Sequence, residues 1–263
     1  MTDALLLAAV PISTHAGARG LTNASGFFFE RGERLFLVTS RHVLIDEPTG
    51  HHPDRIGLVL HLDATNLTRT AGFSIPLFRN GKAVWRQGRD SGSEIDVAVI
   101  EIDRAALPEG VLMHSFTPEH LQDSAAYDEV EIGSALLVVG FPLGFRDTLH
   151  HLAVVRQAAV ASAFGVRFQG QGYFLTDART HRGTSGAAVV MRMPVHDGSA
   201  GPLPWKLLGV HSGRLDMMPR DAQHDEVLGL NCAWYADILL TLTKPPAAPA
   251  TAPAQVQSAT AAR

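Results

Sequence analysis

One cysteine, Cys232, stands in the whole 263-residue chain. A single thiol cannot close an intramolecular disulfide, so the fold must be held by its core, and that usage is expected of a reducing, cytoplasmic setting. No stretch approaches the 18 or more apolar residues that a membrane-crossing helix needs, so no membrane span is expected. An excess of positive charge is also missing. With 22 Lys and Arg against 26 Asp and Glu, nothing gives a reason to expect a nucleic-acid partner. Neither H-E-x-x-H nor C-x-x-C occurs. The adjacent pairs His51-His52 and His150-His151 would point to opposite faces of a strand, which suits shared ligation badly. Neither a metal nor a cofactor is therefore expected. The N-terminus lacks a basic segment ahead of its apolar run Ala4–Val10, so it reads as a first strand over Leu5–Ile12 and not as a signal peptide.

What is present is an abundance of short apolar runs between turn residues. Twenty-four Gly and 15 Pro break the chain into many strands and few helices. Ser25–Glu30 and Arg34–Ser40 form a hairpin around Arg31-Gly32-Glu33. Further strands are expected at Ile56–Leu62, Phe73–Pro76, Ala83–Arg86 (after an Asn80-Gly81 turn) and Asp96–Ile102. Leu107 to Glu129 carries Pro108 and Pro118 with little strand pattern. Strands resume at Ala135–Gly140, Leu152–Ala163, Tyr173–Thr176, Ala187–Met191 and Leu207–His211. Exposed loops are expected between Met191 and Trp205 and over Leu215–Glu226. Trp234, Ile238 and Leu242 lie at helical spacing and predict a short closing helix over Trp234–Leu242. The resulting organisation is an N-terminal unit at 1–108, a linker at 109–130, a C-terminal unit at 131–244 and a disordered Ala/Pro-rich tail at 245–263.

Three segments carry chemistry. Gly183-Thr184-Ser185-Gly186 sets a serine on a tight turn, where the backbone N–H groups of Gly183 and Ser185 can converge in front of its hydroxyl. By itself G-x-S-G is an ordinary loop sequence. Upstream, Thr39-Ser40-Arg41-His42 closes a strongly apolar strand and lets His42 emerge at its end. Asp96 opens the buried strand DVAVIEI, where a carboxylate is costly unless paired. A buried Asp beside a His Nδ1–H resolves that conflict, and the three residues then offer a nucleophile, a base and the base's orienter. Asp177 lies too close in sequence to Ser185 for that role and is expected to be structural. Cys232 and the Phe27-Phe28-Phe29 run are expected in the core.

With those pieces in place, the chain resembles the trypsin-like (chymotrypsin-fold) serine proteases. The matching segments are SGFFFERGERLFLVTSRHVL, DVAVIEI, LLVVGFPLG, TDARTHRGTSGAAVV, and LLGVHSG followed by LGLNCAWYADILL. They occur in the family's order, with 54 residues from His42 to Asp96 and 89 from Asp96 to Ser185. The nearest pattern is that of the bacterial glutamyl endopeptidase and HtrA-type branches. The resemblance implies an all-β fold of two six-stranded antiparallel Greek-key barrels with the active site between them and a short C-terminal helix. It implies a serine endopeptidase acting on polypeptides through His42, Asp96 and Ser185, with an oxyanion hole from Gly183, Ser185 and the intervening Thr184. Ser212 and Gly213 match the segment that pairs with substrate backbone. Arg179, Thr180 and His211 match positions that read the side chain before the cut, and Thr180 with His211 implies an acidic one. Arg41 departs from the small residue usual before the base, and Ala187-Ala188 from the usual Gly-Pro. A protease-fold peptide-binding module, a latent effector with a regulatory protein partner, and an esterase stay open beside the endopeptidase.

Overall fold

The computed structural model describes residues 2–92, 94–193, 203–214 and 229–245. Two antiparallel β assemblies follow one another along the chain. The first is a seven-stranded sheet of β1 (Ala9–Ala16), β2 (Arg19–Arg31), β3 (Arg34–Thr39), β4 (Arg55–His61), β5 (Thr70–Pro76), β8 (Trp85–Arg89) and β9 (Glu94–Ile102), in the order β5-β4-β1-β2-β3-β9-β8. The pairings do not close this sheet into the six-stranded barrel expected. Phe73 and Ile75 from one edge strand and Trp85 from the other nevertheless pack on one cluster with Ile12, Phe28, Leu37 and Ile100, so the sheet wraps a single core. The predicted hairpin is β2–β3, with Arg31 opposite Arg34 and Gly32 at φ 60° in the two-residue turn. The Asn80-Gly81 turn links a separate two-stranded ribbon, β6 (Phe78–Arg79) and β7 (Lys82–Ala83).

The second assembly is a closed six-stranded barrel. It comprises β10 (Ala135–Gly140), β11 (Val154–Val160), β12 (Tyr173–Asp177), β13 (Ala188–Arg192), β14 (Trp205–Arg214) and β15 (Leu230–Tyr235), in the order β10-β11-β12-β15-β14-β13. Its interior holds Val138, Phe174, Val189, Leu208 and Ala233. Strand alternation divides the Phe27-Phe28-Phe29 run: Phe28 enters the first core, whereas Phe27 and Phe29 join Val97, Val99, Leu207 and Trp234 in a core between the two assemblies.

Three sequence expectations change. The first strand begins at Ala9, because Asp3 caps a short helix α1 (Ala4–Ala8) by accepting the Leu5 N–H at 3.0 Å. Trp234 belongs to β15 and not to the closing helix. Its neighbours there are Tyr173 and Val210, and completing the barrel satisfies more backbone groups than one extra helical turn. The closing helix α3 is only Ile238–Leu242, and its last carbonyls are met by arginines of the first sheet: Arg31 on Leu240, Arg34 on Thr243 and Arg86 on Lys244, at 2.6, 3.1 and 2.7 Å. The connecting segment 109–130 contains one-turn 3-10 helices at Pro118–His120 and Ser124–Glu129, and it buries Phe116 edge-on against Phe27. The two loops expected around 191–206 and 214–226 fall largely outside the described residues, and so does the tail beyond Pro245. No helix among the described residues is long and apolar enough to cross a membrane.

Candidate active site

His42 does not leave directly from a strand end. After β3 the chain turns at Ser40 into the one-turn helix α2 (Arg41–Leu44), which buries Val43 and Leu44 and leaves His42 half-exposed. β3 pairs with β9, Thr39 lying opposite Ala98, and this brings Asp96 beside the helix. Asp96 Oδ1 accepts the His42 backbone N–H at 2.8 Å, and Oδ2 accepts from Nδ1 at 2.7 Å. A second donor, the Ser212 hydroxyl, reaches Oδ2 at 2.5 Å. With the carboxylate as acceptor, the proton lies on Nδ1 and Nε2 is the free basic nitrogen. Burial lowers the His42 pKa, but the Asp96 hydrogen bond, the Asp96 charge and the charge of Asp46 outweigh it, and the net shift is upward. Arg41, the departure noted before the base, pairs with Glu47 and Glu94, each at 3.3 Å.

The Ser185 turn needs its glycines for both dihedral and space. Gly183 and Gly186 have φ 89° and 83°, in the region that L-residues rarely adopt. A Cβ on Gly183 would stand 2.8 Å from the Phe141 carbonyl oxygen, and one on Gly186 would collide with the Ser25 carbonyl oxygen and Thr39 Oγ1. The turn's carbonyls are tied down from outside. Arg182 O accepts the Leu143 N–H at 2.5 Å, and Ser185 O accepts the Ser25 N–H at 2.9 Å. Gly183 O accepts the Ser25 hydroxyl at 2.8 Å, and Thr184, itself buried, donates its hydroxyl to His181 O at 2.8 Å. Among the described residues nothing accepts from the N–H groups of Gly183 and Ser185, so both donors stand free beside the serine. The Ser185 hydroxyl donates to Ser212 O at 2.9 Å and not to His42. Ser212 thus touches both Ser185 and the His42–Asp96 pair, its carbonyl at the serine and its hydroxyl at Asp96.

Of the predicted substrate-reading residues, Thr180 and His211 are both buried. Ser212 and Gly213 follow on β14, past a bulge after His211. Arg179 is exposed and is not gathered with them. His211 is pushed down to about 4 by burial and, secondarily, by the charge of His42, so its ring is neutral at pH 7. Two residues were missed. Ser25, fully buried, accepts the Phe141 N–H at 2.9 Å while donating to Gly183 O; a lone serine ahead of three phenylalanines was its only signal. Asn231, also fully buried, accepts the Thr180 hydroxyl at 2.5 Å, and only its polarity inside an apolar strand could have marked it. Asp177, expected to be structural, is exposed at the end of β12. Among the described residues no group of three or more His, Cys, Asp or Glu is placed to hold a metal ion.

The family model described as the trypsin-like peptidase domain matches residues 24–193, a span that contains His42, Asp96 and Ser185. Among solved structures, the chain is similar to the crystal structure of the serine endoprotease from Yersinia pestis, with a TM-score of 0.50 and 17% identity over 90% of this chain. At that identity the likeness is one of fold. The chain spans 61% of that protein's length. No curated protein sequence matches it.

Proposed function

The chain belongs to the trypsin-like peptidase domain family, and from that premise we propose that it is a serine endopeptidase that cleaves polypeptides through His42, Asp96 and Ser185. The observation that carries the reading is the double grip of Asp96 on His42, at Nδ1 and at the backbone N–H. That grip fixes the tautomer a general base needs. In the proposed reaction His42 Nε2 takes the Ser185 proton as Oγ attacks the peptide carbonyl. The N–H groups of Gly183 and Ser185 receive the oxyanion, each such donor being worth about 3 kcal/mol in related sites. The imidazolium, stabilised by Asp96, returns the proton to the leaving amine. Water then repeats the sequence on the acyl-enzyme and restores Ser185.

Substrate binding itself readies the nucleophile in this scheme. A peptide strand laid along Ser212 and Gly213 presents an N–H to the Ser212 carbonyl and competes there with the Ser185 hydroxyl, which is freed to turn toward His42. The same hydrogen bond favours a second reading, a latent effector that works after a regulatory partner or substrate reorganises this residue. Thr180 and His211 contact the side chain before the cut, and an acidic side chain there is favoured when His211 carries a proton.

Cleavage of a diverse peptide library, read by mass spectrometry with wild type beside Ser185→Ala, tests the proposal. Cuts present in the first and absent in the second are expected. A folded wild type that neither cuts nor reacts with a fluorophosphonate would turn the reading to a binding module, and ester cleavage without peptide cleavage would turn it to an esterase.

A further inference from the structure

Arg41, immediately before the proposed base, has no part in the mechanism above, yet the fold buries it. Its side chain is only 14% exposed, and taking a guanidinium out of water is costly unless it is paired. The pairing is incomplete. Nη2 reaches Glu47 Oε1 and Oε2 at 3.3 and 3.4 Å and Glu94 Oε2 at 3.3 Å, whereas Nε is enclosed with no partner. A buried donor left orphaned calls for a reason, and the two partners supply one. Glu47 lies in the turn after α2, on Arg41's own segment. Glu94 is the first residue of β9, the strand that carries Asp96, so this second contact crosses from the helix to the strand.

β9 presents two carboxylates to α2 from one face. Glu94 and Asp96 are two residues apart, and Ile95 between them is buried in the core between the two assemblies. Asp96 takes the backbone N–H and Nδ1 of His42 at 2.8 and 2.7 Å, and Glu94 takes the side chain of Arg41. Consecutive residues of the helix are thus held by alternate residues of the strand. The helix has little else to fix its angle. One turn is too short to be stable alone, and Ser40 makes no side-chain cap, its hydroxyl going to His211 O at 3.1 Å. Two backbone bonds close the turn, Val43 N–H to Ser40 O and Ile45 N–H to Arg41 O, at 3.2 and 3.0 Å. Val43 and Leu44 are buried beneath it, and apolar contact is non-directional, so the polar contacts to β9 decide how the helix is turned.

We propose that Arg41 is a positioning residue, a tie from α2 to Glu94 that keeps the His42 ring in register with Asp96. The inference rests on the peptidase reading for the roles of His42 and Asp96 and adds to it a residue outside the triad. Charge alone predicts the reverse of what placement predicts. His42 is faced by Asp96 from β9, by Asp46 from the turn after α2 and by His211 from β14, with Arg41 next to it in sequence and paired to Glu47 and Glu94. Removing the positive charge from this set leaves Glu47 and Glu94 unneutralised and favours the imidazolium. Loosening the Asp96 pairing disfavours it. A placement role therefore moves the His42 titration down, and a charge role moves it up.

The test uses the full chain and two readouts, one of which needs no turnover. Imidazole NMR of wild type, Arg41→Met, Arg41→Lys, Glu94→Gln and Glu47→Gln follows the His42 titration and the exchange of its Nδ1 proton with water. Steady-state cleavage of the best library peptide gives kcat and KM. Arg41→Met is expected to lower the His42 midpoint, to speed Nδ1 exchange about tenfold, and to lower kcat about tenfold with KM within about twofold. Arg41→Lys, which keeps the charge, is expected to recover most of the loss. Glu94→Gln and Glu47→Gln each remove one negative charge beside Arg41, so their difference cancels the charge effect. Only Glu94→Gln unties β9, and only it is expected to follow Arg41→Met; should Arg41→Met fail to fold, this pair decides. A midpoint unmoved or raised in Arg41→Met, kcat and exchange within about twofold of wild type, or equal effects of Glu94→Gln and Glu47→Gln would each overturn the inference. A wild type that cuts no peptide while the ring readouts shift as expected would sink the peptidase reading and leave the tie standing.

Discussion

Ser25→Ala removes one oxygen that sits under the Ser185 turn. Ser25 is fully buried, and its hydroxyl accepts the Phe141 N–H at 2.9 Å and donates to the Gly183 carbonyl at 2.8 Å. Alanine leaves both backbone groups buried and unpaired, at about 1–3 kcal/mol each, so a stability loss of roughly 2–6 kcal/mol is expected. A domain with the usual reserve of about 5–15 kcal/mol still folds. The effect on chemistry follows from which peptide is released. The Gly183 carbonyl belongs to the glycine whose N–H is proposed to receive the oxyanion, and complete loss of one such donor costs about 10²–10³ in kcat. Ser25 acts through placement, so a fall in kcat of about 10–100-fold with little change in KM is expected. Urea unfolding gives the first quantity, and steady-state kinetics on the best library peptide, below the unfolding transition, gives the second. A variant destabilised as expected whose kcat stays within about twofold of wild type would refute the view that this hydroxyl sets the oxyanion turn.

The remaining predictions concern the dyad, the glycine turn and the thiol. Asp96→Asn takes one acceptor oxygen from the His42 pairing and should lower kcat by about 10⁴, the loss typical of the corresponding change in serine-protease triads; a loss below about tenfold would remove Asp96 from the mechanism. Because the net shift of His42 is upward from 6.5 and the base must be neutral, kcat/KM should rise with pH through a midpoint above 6.5; a midpoint below it would contradict the Asp96 pairing. The stability linked to the same shift is fully present below the unfolded-state pKa and is lost as pH rises through the folded-state value, which denaturant midpoints across that range would show. Gly186→Ala must accept φ 83° and a Cβ against Ser25 O and Thr39 Oγ1. A loss of about 2–5 kcal/mol is expected from backbone strain and overpacking together, and a urea-measured change under about 1 kcal/mol would show that the turn can relax. Partial burial pushes the Cys232 thiol up to about 11, so an aromatic disulfide reagent at pH 8 should label the native protein far more slowly than the unfolded chain; equal rates would contradict the raised thiol.

Local chemistry was legible because it repeats along the chain. The β2–β3 hairpin, the Asn80-Gly81 turn and most strands announced themselves through alternation and turn residues, and Gly183 and Gly186 flagged a backbone that side chains cannot follow. The element ends were not legible in the same way. Ala4–Ala8 has the apolar content of a strand, and only the Asp3 cap made it helical. Trp234 kept perfect helical spacing with Ile238 and Leu242, but β12 and β14 had unpaired edges that only β15 could complete. Periodicity is a local property, whereas the satisfaction of a sheet edge is not.

Sequence by itself determined which residues could do chemistry: a serine between glycines, a histidine after an apolar strand, and an aspartate too costly to bury alone. Tertiary structure alone decided what state those groups are in. Ser25 and Gly183 are 158 positions apart in the chain, and Ser212 reaches an aspartate 116 positions away, so no local pattern could report either contact. The direction of one proton, from Thr180 to Asn231, likewise depends on two strands and a loop meeting at the end of a barrel. Hydrogen bonds and desolvation act over a few ångströms of space irrespective of sequence distance, and for that reason polarity and protonation become readable only once the chain has folded.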